Sequence, residues 1–451
     1  MENINDYSKK QADMCIDNDS IPKALYTDYG VKKGLRDENG QGVLTGLTNI
    51  SSVRAFDVID GEKVPCDGEL LYRGYDVTKL VKGAGDKRFI FEESAYLLLF
   101  GGITGLKTGS TSLALYNLSA SATRDNLSLI AVIMKAPSAD IMNSMTRSIL
   151  TLASYDDRKD DLSIENVLRQ SIQLISTFPM LAVYGYHAYN HYERDDSMYI
   201  HRPDKELSLA ENFLRMLRPD MKYTPLETHV LDIALLLHME HGGGNNSSFT
   251  TRVVTSSGSD TYSAIAAAMS SLKGRKHGGA NLMVMNMMED IRAHIKDYHD
   301  EEEIEHYLDK ILNKEAFDKK GLIYGMGHAV YSLSDPRERV FKGFVEQLAN
   351  AKGRAEDMAL YNNIERIAPM LIAKERKIFK GVSPNVDFYS GFVYDMLDIP
   401  KELYTPLFAI ARIVGWSAHR IEELVTTDKI IRPAYKSLVT KREYVDRSHR
   451  D

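Results

Sequence analysis

Cysteine is scarce in this sequence. Only Cys15 and Cys66 occur among 451 residues, which gives neither a disulfide framework nor a CxxC metal pattern and is typical of a reducing compartment. No apolar run reaches the roughly 18 residues of a membrane-spanning helix, and residues 1–30 lack the apolar core of a secretory signal. We therefore expect a cytoplasmic protein that does not contact a membrane.

Neither sign of charge dominates. The 56 basic and 63 acidic residues leave a net charge of −7, and this mild, mixed balance argues against electrostatic binding of nucleic acid. The sequence has no internal repeat and no low-complexity segment. A hydrophobic content of 43% is ample for a sizeable core, and a length of 451 residues suggests two or three domains.

Local patterns predict a mainly α-helical protein with a small β element near its N-terminus. After a partly ordered arm at residues 1–34, strands are predicted at 52–59 and 69–72, with a hairpin turn at Asp60-Gly61. Residues 190–203 are predicted to form a loop. Apolar residues at helical spacing predict helices at 4–16, 21–29, 91–100, 125–135, 139–155, 164–189, 208–217, 225–238, 301–313, 338–351, 358–377 and 406–423.

The stretch 260–288 is predicted to form two helices separated by the glycine-rich turn GRKHGG. Gly274 ends the first helix, and the second can begin directly after His277. The positive end of a helix dipole disfavours a protonated imidazole. A neutral histidine that donates one hydrogen bond suits a carbonyl or enolate oxygen. The alternative is a helix-cap histidine without chemistry.

Two histidines, His238 and His241, stand three residues apart in HMEHGGGNNSS. They could ligate zinc, but no third ligand stands at a usual spacing. We favour a different interpretation, in which the triple glycine lets the backbone approach an anionic ligand. His241, near a helix C-terminus, would then stay protonated and pair with that ligand. A plain helix-capping histidine is the alternative.

Two further motifs place polar groups near helix ends. In Gly325-Met-Gly327-His328, the histidine lies nine residues before Arg337, which could hold a carboxylate bidentately. An ordinary glycine loop is the alternative. In SPNVDFYSG, Asp387 lies within an apolar and aromatic run, where burial would raise its pKa toward that of a useful general base. A carboxylate that only caps the next helix is the alternative.

Two arginines are also candidates for a site. Arg412 lies in an otherwise apolar predicted helix, where a solvated face is not expected. Arg432 precedes Pro433 and is therefore expected in extended chain. For either arginine alone, a surface or salt-bridge role is the commoner explanation.

Taken together and in this order, the motifs resemble those of the citrate synthase family. The resemblance covers about residues 34–435, and the order of its histidine, histidine and aspartate motifs is highly specific. The segments that carry it are GLRD (34–37), LLYRGYDVTKL (70–80), FEESAYLLLFG (91–101), HMEHGGGNNSSFTTR (238–252), LKGRKHGGAN (272–281), GMGHAVYSLSDPR (325–337), SPNVDFYSG (383–391), FAIARIVGWSAH (408–419) and IIRP (430–433).

The resemblance implies catalytic roles for three residues. His277 matches the histidine that hydrogen-bonds the thioester oxygen of acetyl-CoA, and Asp387 matches the base that takes a methyl proton. His328 matches the residue that polarises the oxaloacetate carbonyl. A thioester α-proton is weakly acidic, so a carboxylate can remove it only if the enolate is stabilised as it forms.

The resemblance also implies the substrate ligands and the assembly. His241, Arg337 and Arg412 match residues that bind oxaloacetate, and Arg432 matches an arginine that the other subunit supplies. A homodimer is therefore the minimum assembly, and a higher oligomer is compatible with it. No metal and no permanently bound cofactor are expected, because acetyl-CoA is a co-substrate.

The coenzyme A contacts are less well defined, because the chain departs from the family pattern. Ser332 stands four residues after His328, where a basic phosphate ligand is common. Lys380 is the first candidate to replace it, followed by Lys342 or Arg339. The segment 38–53 is longer than usual and has no functional interpretation. The other expected coenzyme A contacts are Gly325, Gly327 and Asn385.

The implied fold is mainly helical with two domains. Residues 1–280 and 393–451 would form a large domain and residues 281–392 a smaller inserted one, which closes over a site in the cleft.

Two other functions stay open. A 2-methylcitrate synthase would use propionyl-CoA, and one methylene is worth only about 1–3 kcal/mol of discrimination. A more remote alternative is a non-catalytic protein that binds coenzyme A or a metal.

Overall fold

The computed structural model describes residues 4–37, 42–102, 133–328, 330–331, 333–376 and 381–449. The chain divides into two units, Met1–Leu47 and Thr48–Asp451. The described residues are mainly helical and include one three-stranded sheet, so the predicted fold class is confirmed. No helix in these ranges is long and apolar enough to span a membrane.

The first unit consists of two helices and a short 3-10 turn. Helix α1 covers Ile4–Asp19, α2 covers Lys23–Asp28 and the turn covers Lys33–Leu35. The described side chains of this unit are exposed or only partly covered. Both helices fall where the sequence pattern predicts them, within three residues at each end.

The second unit begins with an antiparallel sheet in the order β1, β2, β3. Strand β1 covers Ser51–Ile59, β2 covers Glu62–Tyr72 and β3 covers Tyr75–Asp76. Asp60 and Gly61 join the first two strands with positive φ angles of 51° and 84°, as a tight hairpin requires. The predicted second strand began at residue 69, which is wrong by seven residues. The cross-strand pairing of Ile59 with Glu62 outweighs the weak strand preference of the segment that contains Pro65.

Helices make up most of the remaining chain. With three exceptions, the ends of the predicted helices agree with the structure to within three residues. The second helix of the stretch 260–288 runs on to His294. The helix at 164–189 runs on to Arg194, into the predicted loop, and the helix at 125–135 falls largely outside the described residues. The helices are α3 Val77–Ala84, α4 Ile90–Phe100, α5 Ile141–Ala153, α6 Ile164–Arg194, α7 Leu209–Leu217, α8 Pro225–His238, α9 Asn246–Ser256, α10 Thr261–Leu272, α11 Ala280–His294, α12 Glu301–Leu312, α13 Pro336–Ala351, α14 Ala355–Arg376, α15 Val386–Met396 and α16 Tyr404–Thr426.

Helix α16 is the centre of the packing in the second unit. It is buried on all sides over Tyr404–Arg420 apart from Thr405, as expected for a helix that is apolar all round. It contacts α4, α6, α8, α9 and α10. Arg412 therefore lies in the protein interior, where a charged group needs a specific partner.

The sheet packs closely against the loop that precedes α13. The backbone N–H of Gly68 donates to Ser334 Oγ at 3.1 Å, and Ser334 Oγ in turn donates to Asp67 at 2.8 Å. A Cβ atom at Gly68 would overlap the Ser334 carbonyl oxygen and lie 2.7 Å from Cδ1 of Tyr331. Only glycine allows this approach of strand and loop. The division into domains at residues 280 and 392 stays a prediction.

Replacing Gly68 with alanine should destabilise the protein, because the methyl group has no room against the loop. Overpacking of this kind typically costs about 1–3 kcal/mol, and we expect urea denaturation to show a free energy of unfolding lower by that amount. The control is Gly83→Ala in α3, where nothing lies within 4 Å of the added carbon. Equal stability of the two variants would show that the loop accommodates the methyl group.

Candidate active site

Backbone hydrogen bonds hold two of the predicted motifs side by side. The Gly327 N–H donates to the Ser383 carbonyl at 2.8 Å, and the Asn385 N–H donates to the Gly325 carbonyl at 2.9 Å. The Asn385 side-chain amide donates to the Gly327 carbonyl at 2.8 Å. These bonds place the loop that carries His328 beside the first turn of α15, which carries Asp387.

Gly325 is needed where this loop passes α15. Its φ angle is +82°, and a Cβ atom there would lie 2.9 Å from Phe388 Cδ2 and 3.0 Å from Val284 Cγ2. A larger residue would be strained by its backbone and would press the loop away from the helix. In the free protein, the loop that carries His328 is held against α15 by three residues that were predicted as coenzyme A contacts. They are Gly325, Gly327 and Asn385.

Asp387 is not the cap of α15. Asn385 is the N-cap, and its side-chain oxygen accepts from the Asp387 N–H at 3.0 Å. The Asp387 carboxyl group is therefore left for other partners. Desolvation raises its pKa to about 6, helped by Asp335 and opposed by the positive charges of Arg337 and Arg412. A carboxyl group with this pKa is ionised at neutral pH and is a stronger base than an exposed aspartate.

Hydrogen bonds define which nitrogen of His328 carries hydrogen. Its Nδ1 accepts from the backbone N–H groups of Val330 at 3.1 Å and Tyr331 at 3.2 Å. In the neutral ring the hydrogen must then be on Nε2, which makes that nitrogen a donor. The ring stacks on Tyr331, with centroids 4.9 Å apart, and meets His241 edge-on at 5.0 Å.

His277 lies in the turn between α10 and α11. Its Nε2 is 3.0 Å from Ser247 Oγ. Desolvation, supported by the charge of Arg412, lowers the pKa of His277 to about 4, which agrees with the predicted neutral state. The predicted cause, a position at the start of a helix, is wrong. Helix α11 begins only at Ala280, and burial beside a cation has the main effect.

Ser247 is a member of this site that the sequence analysis missed. Its Oγ accepts from the indole N–H of Trp416 at 3.1 Å and lies 2.9 Å from the side-chain oxygen of Asn245. Because an indole N–H can only donate, the hydroxyl hydrogen goes to Asn245 or to His277. The serine follows a glycine-rich turn, and nothing in the sequence distinguishes it from Ser248.

Two buried arginines lie close to these groups. The Arg337 guanidinium forms two hydrogen bonds with Asp335, Nε to Oδ1 at 3.0 Å and Nη2 to Oδ2 at 2.6 Å. Arg412 donates from Nε to the His238 carbonyl at 2.7 Å. Its Nη1 is buried and has no hydrogen-bond partner within the described ranges. A buried donor of this kind suits an anionic ligand.

The protonated state expected for His241 is wrong for the ligand-free protein. Desolvation lowers its pKa well below the usual value, and the positive charges of Arg337 and Arg412 act in the same direction. Burial, together with the two nearby cations, outweighs any benefit from the end of α8. His241 Nε2 and both ring nitrogens of His238 are buried without hydrogen-bond partners among the described residues. In that part of the chain no group of three or more metal-ligating side chains occurs, so the zinc alternative gains no support.

The structure does not bring every predicted residue to this place. Arg432 is exposed in extended chain beyond α16, where the neighbouring Ile431 N–H donates to Ser256 Oγ at 3.0 Å. Lys342 pairs with Glu365 at 2.6 Å and Arg339 with Asp67 at 3.0 Å. Lys380 and Ser332 lie outside the described residues.

Comparison with known proteins identifies the family. A family model described as the citrate synthase C-terminal domain matches residues 38–434. A citrate synthase of Synechocystis is 33% identical over 86% of this chain and 89% of its own length. A citrate synthase of Haloferax volcanii is 33% identical over 89% and 94%. The 2-methylcitrate synthase 1 of Corynebacterium glutamicum is 30% identical over 94% and 100%.

Solved structures agree with this result. Citrate synthase from Pyrobaculum aerophilum, 26% identical, superposes with a TM-score of 0.72 over 91% of this chain and 95% of that one. A ternary complex of Thermoplasma acidophilum citrate synthase with carboxymethyl coenzyme A and oxaloacetate gives a TM-score of 0.74 over 93% and 99%; at 24% identity it shows the fold alone. The chain belongs to the citrate synthase family. It is an enzyme of the acyltransferase class.

Loss of the Ser247 hydroxyl should impair the histidine that it contacts. Ser247→Ala leaves Nε2 of His277 without its partner, and an unsatisfied buried group costs about 1–3 kcal/mol. We expect turnover to fall about tenfold to a hundredfold, and the free energy of unfolding to fall by about 1–3 kcal/mol because the Trp416 indole N–H also loses its acceptor. Ser248→Ala is the control, since Ser248 Oγ has no hydrogen-bond partner among the described residues. Unchanged turnover in Ser247→Ala would remove this serine from the site.

Proposed function

We propose that this enzyme condenses acetyl-CoA with oxaloacetate and water to give citrate and coenzyme A. The observation that carries the proposal is that four kinds of group lie close together in a site that is buried or half-buried. They are a carboxyl group with a raised pKa, histidines held neutral, a histidine whose hydrogen is fixed on Nε2, and an arginine with an unpartnered buried donor. The reaction needs no resident cofactor, and acetyl-CoA serves as co-substrate.

The first step is removal of a methyl proton from acetyl-CoA. Asp387 acts as the base, because its raised pKa makes it basic while it stays ionised at neutral pH. His277 donates a hydrogen bond to the thioester oxygen and stabilises the enolate as it forms. Ser247 occupies Nε2 of this histidine, so Nδ1 is the nitrogen that faces the thioester. In the free protein the Ser247 hydroxyl hydrogen points to Asn245 Oδ1, so this proposal requires the hydroxyl to rotate and donate to Nε2 when acetyl-CoA binds.

The second step joins the enolate carbon to the ketone of oxaloacetate. His328 donates a hydrogen bond from Nε2 to the carbonyl oxygen and transfers that proton as negative charge develops there, which gives the hydroxyl group of citryl-CoA. Arg337, Arg412 and His241 hold the substrate carboxylates and so orient the ketone. Hydrolysis of the citryl-CoA thioester makes the overall reaction favourable. In this proposal residues 281–392 move as a small domain and close over oxaloacetate.

A dianionic substrate calls for free cationic groups in the site. Arg337 is already paired with Asp335, and Arg412 lies near the carboxyl groups of Asp387 and Glu240. We therefore propose a further cation, the partner subunit's Arg432. Its exposure in extended chain supports this role. We propose a cytoplasmic homodimer, which is also compatible with a higher oligomer.

A 2-methylcitrate synthase is the second candidate. Two 2-methylcitrate synthases of Corynebacterium glutamicum are 30% and 31% identical over 94% and 90% of this chain, close to the values for citrate synthases. One additional methylene changes transition-state binding by only about 1–3 kcal/mol. The ratio of kcat/KM for acetyl-CoA and propionyl-CoA decides between the two.

Release of free thiol from acetyl-CoA tests the proposed function directly. Thiol should appear only when oxaloacetate is present, and EDTA should not reduce its rate. Release without oxaloacetate would indicate a simple thioesterase. No release with either acyl-CoA would favour a protein that binds coenzyme A without catalysis, and inhibition by EDTA would favour a metal-dependent protein.

Asp387→Asn should abolish condensation while oxaloacetate still binds, because the amide keeps the shape but accepts no proton. We expect kcat to fall by about three or more orders of magnitude. In the unaltered enzyme kcat should decline as the pH falls through about 6, where this carboxyl group becomes protonated. Near-normal turnover of the variant, or a rate that is constant down to pH 4, would exclude Asp387 as the base.

Mixing two impaired variants tests the shared site. A subunit with Arg432→Ala keeps its own base and receives an intact arginine from a partner that carries Asp387→Asn. One complete site is restored in each mixed dimer, since a two-fold interface is reciprocal. Loss of one charge-assisted contact costs about 2–4 kcal/mol, so recovery should be clearest at low oxaloacetate. Verified subunit exchange without recovery would show that Arg432 does not act across the interface.

A further inference from the structure

One face of α16 contacts the turn between α8 and α9, next to the groups already assigned. Arg412, Gly415 and His419 lie three and four residues apart, which places them on the same side of the helix. Arg412 donates to the His238 carbonyl, as described above. Gly415 and His419 contact Glu240. This residue has no role in the proposed reaction.

Glu240 is fully buried, and one oxygen of its side chain binds three donors. Oε1 accepts from Ser51 Oγ at 2.9 Å, from the Gly242 N–H at 2.5 Å and from His419 Nε2 at 3.0 Å. Its backbone carbonyl accepts from the Tyr72 hydroxyl at 3.1 Å. This residue therefore joins the sheet, the turn and α16 at the position directly before His241.

The turn and the helix are in such close contact that neither can shift alone. A Cβ atom at Gly415 would overlap Oε2 of Glu240 and lie 2.6 Å from the Met239 carbonyl oxygen. A Cβ atom at Gly243 would lie 3.2 Å from Cε1 of His419. The glycines on both elements allow the Glu240 side chain to fit between them.

Glu240 also stays charged inside the protein. Burial raises its pKa, but the charge of His419, its hydrogen bond and the charge of Arg412 outweigh burial, so the pKa is lower than usual. Hydrogen bonds to an ionised acceptor are about twice as strong as neutral ones. The charge strengthens the three bonds at Oε1, but their number and direction fix the turn, and a neutral oxygen at the same place can accept from the same donors.

We propose that Glu240 is a positioning residue for oxaloacetate, which it does not touch. By fixing the turn between Ser51, Gly242 and His419, it sets the place of His241 and of the carbonyl that orients Arg412. The assignment rests on the proposed function, in which these two residues bind oxaloacetate. The backbone of His277 belongs to a different turn, so the acetyl-CoA side of the site should be affected much less.

Three variants separate geometry from charge. Glu240→Ala removes the acceptor, Glu240→Gln keeps an acceptor oxygen without the charge, and Gly415→Ala pushes the turn from the side of the helix while the charge remains. Calorimetric titration gives the dissociation constant of oxaloacetate, and steady-state kinetics give KM for both substrates. We expect Glu240→Ala and Gly415→Ala to weaken oxaloacetate binding about tenfold or more. The KM for acetyl-CoA should change less than about threefold.

Rescue by glutamine is the decisive comparison. The dissociation constant of oxaloacetate for Glu240→Gln should lie within about threefold of the value for the unaltered enzyme. The control is Gly343→Ala, where the added carbon has open space around it, and its dissociation constant should equal that of the unaltered enzyme. If Glu240→Gln binds as weakly as Glu240→Ala, the charge and not the position of the turn matters, and the assignment is overturned. An equal loss for both substrates overturns it as well. Should Glu240→Ala fail to fold, Glu240→Gln and Gly415→Ala still decide.

The outcomes also separate this assignment from the proposed function. If the unaltered enzyme binds no oxaloacetate and releases no thiol, the proposed function fails and this assignment fails with it. If the unaltered enzyme, Glu240→Ala and Gly415→Ala bind oxaloacetate equally, the assignment alone fails.

Discussion

The burial of two guanidinium groups is the constraint on which the site depends. Removing an ion from water costs several kcal/mol unless partners compensate. Arg337 is compensated by a bidentate pair with Asp335. Arg412 has only a carbonyl at Nε and the more distant charge of Glu240, so part of its hydrogen-bonding capacity is kept for a ligand. The second arrangement is less stable for the empty protein and more useful for binding an anion.

Burial and the same two cations together set the protonation of the surrounding side chains. They lower the pKa of His238 and His241 further than burial alone would, and they oppose the rise at Asp387. The histidines are consequently neutral, and each can donate one hydrogen bond without first gaining a proton from solvent. One pair of fixed charges therefore prepares the site both for anion binding and for stabilising an enolate.

Sequence patterns predict those structural features, such as helix ends and caps, that depend on residues close together along the chain. Helix α8 was predicted from Pro225 to His238 and has these ends, and a capping box of Thr224 and Glu227 at its start reflects local chemistry alone. The motif order was enough to select the family and the fold. The state of His241 and the contacts of Ser247 and Glu240 depend on Trp416, His419 and other residues far away in sequence. Local reasoning about helix ends could not predict them.

The hydrogen bonds between residues 325–327 and 383–385 have a mechanical consequence. They join His328, the proposed carbonyl donor, and Asp387, the proposed base, into one piece of backbone. His277 and Arg412 lie on other elements, so a displacement of that piece would withdraw the base and the carbonyl donor together from the rest of the site. In such an open state acetyl-CoA could bind without losing a proton. The hydrogen bonds between the two segments would then prevent proton removal from acetyl-CoA until oxaloacetate has bound.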